Sequence, residues 1–156
     1  MADLIFFLIF LVVPLTVYYA IGSTIEKKSY ASIRAREAQT IHIPTVTYGA
    51  KQPMPPNVEA ALFVGSVVVS ADAFKVFVAN LRNLVGGRIT VYESVVDRGR
   101  REAVLRMKEQ AMAWGANQMV NVRIETSDVG NKAGNQGIIA IEAMAYGTAF
   151  RERQGR

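Results

Sequence analysis

The amino-terminal stretch constrains this chain most, because it is long and carries no charge. From Leu4 to Ile25 there is no charged side chain, and Leu4–Val13 is apolar throughout. A helix rises about 1.5 Å per residue, so the stretch spans roughly 30 Å, the thickness of a bilayer's hydrocarbon core. Transmembrane helices tolerate Pro14, and Tyr18 and Tyr19 suit a lipid–water interface. The sequence therefore predicts a single transmembrane anchor over Leu4–Ile25, the apolar segment.

A cleaved signal peptide is the alternative interpretation of the apolar segment, with Ala20-Ile21-Gly22 as the cleavage site. A signal peptide has a positively charged start, whereas Met1–Asp3 carries an acid and no Lys or Arg, which favours a retained anchor. Basic residues follow the segment and none precedes it: Lys27, Lys28, Arg34 and Arg36. The positive-inside rule predicts a single-pass protein in the cell membrane, with its amino terminus outside and its carboxy-terminal domain in the cytoplasm. The absence of cysteine agrees with a reducing compartment.

The formal net charge of +5 would suit either nucleic acid or an anionic membrane. Several bases flank the apolar segment, and four more are scattered over a turn and the tail: Arg88, Arg151, Arg153 and Arg156. A nucleic-acid surface would need a basic run interleaved with aromatic side chains, and the sequence has none. We therefore expect contact with membrane lipid headgroups and no nucleic-acid partner.

The residues after the apolar segment indicate a helix, a linker and then one folded domain. Glu26–Thr40 is predicted to continue the helix, and Ile41–Tyr48, which contains Pro44, is at most an edge strand. Gly49–Asn57 is a proline-rich linker. We therefore divide the chain into the anchor (4–25), a juxtamembrane helix and linker (26–57), a domain (58–150) and a basic tail (151–156).

The domain begins with a predicted strand and helix. Ala61–Val69 is β-branched and apolar on both faces, as in a strand that is covered on both sides. Ser70 is a plausible amino-terminal cap, and Gly86-Gly87 would end the helix that follows. Arg88–Glu93 is predicted to be a short strand or an extended connector.

The second half of the domain reads as a helix and a strand hairpin. A helix is predicted from Glu93 or Ser94 to Trp114, and i,i+4 ion pairs such as Asp97–Arg101 and Glu102–Arg106 lie on its polar face. Its opposite face is an apolar stripe of Val96, Ala103, Val104, Met107, Ala111 and Trp114. Alternating polarity predicts strands over Met119–Thr126 and Gly137–Phe150, joined by the loop Ser127–Gln136. The fold class is α+β, a small domain with a mainly antiparallel sheet and two helices, preceded by the single transmembrane helix.

Several motifs of the domain resemble the YbjQ-like family, in the order and spacing found there. They are the strand Leu62–Val69, Gly86-Gly87-Arg88, Tyr92-Glu93, Gly115-Ala116-Asn117, Val120–Ile124 and Gly147-Thr148-Ala149. The family carries the label "putative heavy-metal-binding" and has no established activity. The resemblance implies α+β subunits that assemble into a homopentamer. It supplies no catalytic residues, but it singles out a candidate polar or anion-binding cluster of Gly86, Gly87, Arg88, Tyr92, Glu93 and Asn117.

The sequence itself assigns no metal site and no cofactor. Soft metals prefer Cys and His ligands, and this chain has no Cys and a single His, His42, ahead of the domain. Glu93, Asp97, Glu102 and Asp128 lack the clustering that a hard cation needs. One ligand per subunit could still converge on the axis of an oligomer, and this alternative stays open.

Two glycine-rich segments could bind a phosphate or another anion. Gly130–Gly137 lacks the Gly-Lys-Ser/Thr ending and the following helix of a phosphate loop, which favours a hairpin loop. Gly86-Gly87-Arg88 is either an anion site or a helix cap beside a solvated arginine. The only histidine, His42, lies ahead of the domain in the linker region, so we do not expect a catalytic Ser–His pair.

These observations predict a membrane-anchored, homo-oligomeric scaffold or binding module that is not an enzyme. Its apolar strand faces exceed what a lone domain of this size would cover. The alternative is a small-molecule or metal-ion binder whose sites lie at subunit interfaces. The sequence does not indicate the ligand or a protein partner.

Overall fold

A computed structural model describes residues 2–49, 51–53, 55–71, 90–129 and 140–153. For 2–5, 8, 11, 15, 18, 19 and 90–92 it describes the backbone only. The elements in chain order are helix α1 (Ala2–Thr40), strand β1 (Thr45–Val46), strand β2 (Val58–Ser70), helix α2 (Thr90–Ala113), strand β3 (Gln118–Asp128) and strand β4 (Ala140–Glu152).

Helix α1 runs without a break through the apolar segment and the charged residues behind it, which confirms the predicted continuation to Thr40. Pro14 lies inside the helix. Two residues later, the Thr16 hydroxyl donates to the carbonyls of Val12 and Val13 at 3.0 and 2.9 Å. The structure gives the predicted anchor no support of its own, since among the residues it describes no helix is long and apolar enough to cross a membrane.

The four strands form one mixed sheet in the order β1-β3-β4-β2. Strand β4 pairs antiparallel with β2 along its whole length, from Val58↔Glu152 to Ser70↔Ala140, and antiparallel with β3 on its other side. The short β1 joins parallel to β3, with Thr45 opposite Met119. The prediction of a small α+β domain with a largely antiparallel sheet is confirmed.

Helix α2 lies unusually close to one face of the sheet because glycine and alanine form the contact. A Cβ atom on Gly65 of β2 would collide with the Ala103 carbonyl oxygen and come within 2.5 Å of the Met107 amide nitrogen. A Cβ on Gly99 would lie 3.0 Å from the Ile141 side chain. Gly99, which looks unfavourable in a helix, therefore serves close packing on the sheet.

The hydrophobic core lies between α2 and this inner face of the sheet. Its fully buried members include Ala103, Met107 and Ala111 from the predicted apolar stripe of α2. Ala143, Ala145 and Ala149 of β4 lie opposite them. Ile43, between α1 and β1, joins the same cluster.

Two predictions about the elements are wrong. Residues 90–93 are helical and not extended, because α2 begins at Thr90. Thr90 and Glu93 have the spacing of a capping box, and Glu93 places negative charge at the positive end of the helix. Strand β2 lies at the edge of the sheet, and no described residue covers its second face, where Leu62 and Val68 are exposed.

The helix predicted between Ser70 and Gly87 falls largely on residues 72–89, outside the described part of the chain. The same holds for most of the predicted loop over Ser127–Gln136. The described end of that loop is still strand, because β3 extends to Asp128.

Candidate functional site

The structure describes only part of the predicted polar cluster. Gly86, Gly87 and Arg88 lie outside the described residues. Tyr92 and Glu93 belong to the first turn of α2, where the Glu93 side chain is exposed. Asn117 follows the other end of the same helix, and its backbone amide donates to the Phe150 carbonyl at 2.8 Å.

Helix α2 separates Glu93 from Asn117 by most of its length. At about 1.5 Å per residue, the two residues are roughly 30 Å apart along the helix. One chain therefore does not bring them together, and a site that used both would draw them from different subunits.

Asn117 instead lines a polar pocket of about 410 Å³ at the carboxy-terminal end of α2. Its other lining residues are Glu59, Trp114, Gly115, Arg151 and Glu152. None of these side chains is a nucleophile paired with a base. The pocket offers hydrogen-bonding groups and charge, which suits the binding of a polar ligand.

Arg151 organises this pocket and is not part of a basic tail, because β4 extends to Glu152. Its Nε and Nη2 atoms donate to one oxygen of Glu59 at 2.8 and 2.6 Å, and its Nη1 donates to the Trp114 carbonyl at 2.9 Å. The guanidinium also lies 4.1 Å from the centre of the Trp114 ring, in a cation–π contact. With its charge already paired, Arg151 fixes the pocket wall.

An ion-pair network joins α1 to α2. Arg36 bridges Glu102 at 3.0 Å and Glu109 at 2.7 Å, and Arg101 bridges Glu37 at 2.6 Å. The hydrogen bond from Arg36 lowers the pKa of Glu109, and the one from Arg101 lowers the pKa of Glu37. These contacts dock the last turns of α1 on the domain.

Sequence reasoning found only the pairs within α2 and missed those between the helices. Asp97–Arg101 and Glu102–Arg106 are present at 3.9 and 2.8 Å. Arg36 is one of the bases that follow the apolar segment and are expected to contact lipid headgroups. It instead forms ion pairs with Glu102 and Glu109 of α2. A run of mixed charge on α1 signals a polar face but does not identify the helix that pairs with it.

On the side of the sheet opposite α2, several exposed apolar side chains lie beside the exposed carboxylates of Glu142 and Glu125. Leu62 and Val68 of β2 are 66% and 63% exposed, and Val64 and Met144 are less so. The strand register places them together, because Ser66, between Val64 and Val68, pairs with Met144. We call Leu62, Val64, Val68 and Met144 the outer face. In the part of the chain that the structure describes, nothing covers it.

A heavy-metal ion does not fit the donor groups of one described chain. His42 is exposed in the turn after α1. Among the described residues, no three His, Asp or Glu side chains come close enough to hold a metal ion together. The sequence has no Cys to add a thiolate.

The fold and the pocket define a class: a small α+β domain that carries a long docked helix and a polar pocket at the carboxy-terminal end of α2. Comparison with known proteins identifies the family. The profile of the YbjQ family, described as "Putative heavy-metal-binding", matches residues 57–152. This chain belongs to the YbjQ family.

Relatives share the domain but have no described activity in their names. A UPF0145 protein of Hahella chejuensis is 41% identical over 88 residues, covering 56% of this chain and 78% of the relative. A UPF0145 protein of Saccharolobus solfataricus is 37% identical over 105 residues, covering 67% of this chain and 86% of the relative.

One solved structure is also similar, a protein of unknown function from Pediococcus pentosaceus assigned to the DUF74 family. It shares 14% sequence identity, with a TM-score of 0.40, and the match covers 70% of this chain and 97% of that one.

Proposed function

We propose that this protein is a membrane-anchored homo-oligomer that acts as a binding module or scaffold and catalyses no reaction. The observation that carries the proposal is the outer face. Exposed apolar side chains scattered singly are ordinary, whereas several that lie close together on one face of a sheet mark an interaction surface. A second copy of this chain is the occupant we propose.

The outer face suits a partner better than the free edge of β2 does. Arg106 donates to the Ser66 carbonyl and Arg98 to the Ser70 carbonyl, each at 2.9 Å. These arginines occupy backbone acceptors that an added strand would need, and such protection is common at sheet edges. The apolar side chains of the outer face have no comparable cover among the described residues.

The proposed anchor is the apolar segment. Its support is the uncharged sequence and the exposure of its described side chains, among them Phe6, Phe10 and Val17 at 73%, 73% and 53%. Lys27, Lys28 and Arg34 follow it and are exposed, as contact with anionic headgroups would require. The same bases favour a cytoplasmic domain by the positive-inside rule.

The subunit number that we propose is five, and it rests on the family resemblance. Several anchors beneath one ring would hold the assembly to a bilayer by multivalency, more firmly than one anchor holds one chain.

Thiol labelling in native membranes tests the oligomer, because the chain has no cysteine of its own. Val68→Cys places one thiol on the outer face, and Ile41→Cys places a thiol at a position that is also exposed in the single chain. A maleimide should label Val68→Cys much more slowly than Ile41→Cys, because a neighbouring copy covers the outer face. Equally fast labelling of both variants would contradict the proposed surface.

The anchor and its orientation need a separate test. The full chain should remain in the membrane pellet after alkaline extraction, and a reporter that is active only outside the cytoplasm should be inactive when fused after Arg156. A chain released by alkali would exclude the anchor, and an active reporter would reverse the orientation.

A second candidate function is small-molecule binding, which the polar pocket at Asn117 favours. Native mass spectrometry of the purified full chain would reveal a ligand that is retained by the wild type and lost in Asn117→Ala. Calorimetric titration with Zn²⁺ tests the metal alternative at an oligomer axis, and stoichiometric sub-micromolar binding would establish it.

A further inference from the structure

A second cavity lies between the end of α1, the middle of α2 and strand β3. Its volume is about 560 Å³, within the range of small-molecule pockets. Its apolar wall consists of Ala38, Ile41, Val104, Leu105 and Ile124. We call this cavity the groove; it shares no lining residue with the pocket at Asn117.

The apolar wall of the groove is open. Ile41 is 81% exposed and Ile124 is 41% exposed, whereas Leu105 beneath them is buried. Covering these side chains would remove apolar surface from water at little structural cost, because the groove is already formed.

The charges around the groove favour an anion. The charged residues that line the groove are three cations and one anion, so its lining has a net charge of +2. They are Arg100, Arg101, Lys108 and Glu37. Arg101 is paired with Glu37, and Lys108 donates to the Ile43 carbonyl at 3.1 Å. The described residues provide no ion-pair partner for Arg100, which is exposed at the rim. Arg100 is therefore the group that is available to a ligand's negative charge.

We propose that the groove binds an alkyl carboxylate of medium chain length, with the carboxylate at Arg100 and the alkyl chain along Val104, Ile124 and Ile41. An arginine guanidinium matches a carboxylate in geometry and charge, and the apolar wall accommodates a methylene chain but no polar group. The proposal does not rest on the anchor or the oligomer, because one chain supplies the whole groove.

Calorimetry of the full chain in phosphatidylcholine nanodiscs tests the proposal, with octanoate as the probe and empty nanodiscs as the blank. One octanoate should bind per chain. Hexanoate should bind about 15-fold more weakly, since it lacks two methylenes worth about 0.8 kcal/mol each. Octyltrimethylammonium has the same alkyl chain with a positive head and should not bind. The proposal would be overturned if octanoate binding did not saturate, or if octyltrimethylammonium bound as tightly as octanoate.

Two variants locate the site. Arg100→Gln should weaken octanoate binding at least about tenfold, as expected for the loss of a charged hydrogen bond. Arg123→Gln removes another exposed arginine, on β3 but outside the groove, and should leave binding unchanged. Equal effects of the two variants would overturn the assignment to Arg100.

A second copy of the chain is the competing occupant of the groove. In that case octanoate would not bind, and Ile41→Ser would reduce the size of the oligomer. That pair of results would overturn the ligand proposal and would leave the proposed oligomer standing.

Discussion

The two faces of the sheet use the same strands, but α2 covers one of them and no described residue covers the other. On the inner face, Ala143 and Ala145 of β4 are fully buried beneath α2. On the outer face, Met144 between them and Leu62 and Val68 of β2 are exposed. The inner face is built for close approach by small residues, and the outer face carries large apolar side chains that this helix does not reach.

This contrast separates contacts that are completed within the chain from contacts that are not. Where α2 closes the core, glycine and alanine bring helix and sheet together and leave no room for larger residues. The large apolar side chains of the outer face are exposed to solvent in the single chain, so they contribute little to its stability. We infer that the outer face is kept for a partner, and the predictions below test each side of this comparison.

The largest effect is expected at Gly65, on the inner face. Gly65→Ala would place a methyl group against the backbone of Ala103 and Met107, so helix and strand would have to separate. We expect a loss of at least about 3 kcal/mol in the free energy of unfolding. Denaturation followed by circular dichroism measures it. Gly49→Ala is the matched control, because a Cβ there meets nothing within 4 Å.

The outer face should respond in the opposite way. Leu62→Ser with Val68→Ser should speed the maleimide labelling of a cysteine at position 64 of the full chain, because no neighbouring copy would cover it. The secondary structure should not change, since both side chains are exposed in the single chain. Unchanged labelling, or loss of the folded circular dichroism spectrum, would contradict a role of this face in joining copies of the chain.

A smaller effect is expected where α1 meets α2. Arg36→Ala removes the ion pairs of Arg36 with Glu102 and Glu109, and we expect roughly tenfold faster hydrogen exchange in residues 33–40. This factor corresponds to about 1.4 kcal/mol, a moderate value for a charged network that is half exposed. Arg34→Ala, at an exposed position on the same helix, should change nothing. Similar exchange in both variants would show that packing alone docks the helix.

The smallest effect is a dependence of this docking on pH. The pKa values of Glu37 and Glu109 are lowered in the folded chain, so both carboxylates stabilise the docking of α1 at pH values above their pKa in the unfolded chain, about 4.3. This stabilisation is lost as the pH falls through their lowered pKa values in the folded chain. Exchange protection of residues 33–40 should be constant from pH 8 to about 5 and fall below about 4. The double variant Glu37→Gln, Glu109→Gln should show no such fall.

The elements of the domain were predictable where the polarity pattern was strong. Alternating residues in Met119–Thr126 predicted β3, and helical spacing of Ala103, Met107 and Ala111 predicted the buried stripe of α2. The start of α2 was missed because Val91 and Tyr92 are residues typical of strands. Thr90 and Glu93 have the spacing of a capping box, but this spacing is informative only where a helix is already expected to begin.

The candidate sites were less predictable than the fold. Asn117 was chosen from the resemblance, but its pocket partners Glu59 and Arg151 are far away in sequence and meet only through the pairing of β2 with β4. Arg151 had the appearance of a tail residue. The groove depends on α1 lying against α2, and a single sequence does not encode which helix faces which in any local pattern.

The central claim, that the outer face joins copies of this chain, is tested most directly by the mass of the intact assembly. Native mass spectrometry of the full chain released from membrane nanodiscs should give a multiple of the 17.1 kDa chain, five by the family resemblance. The Leu62→Ser, Val68→Ser variant should give the single chain under the same conditions. A wild-type mass of one chain at every concentration would contradict the account.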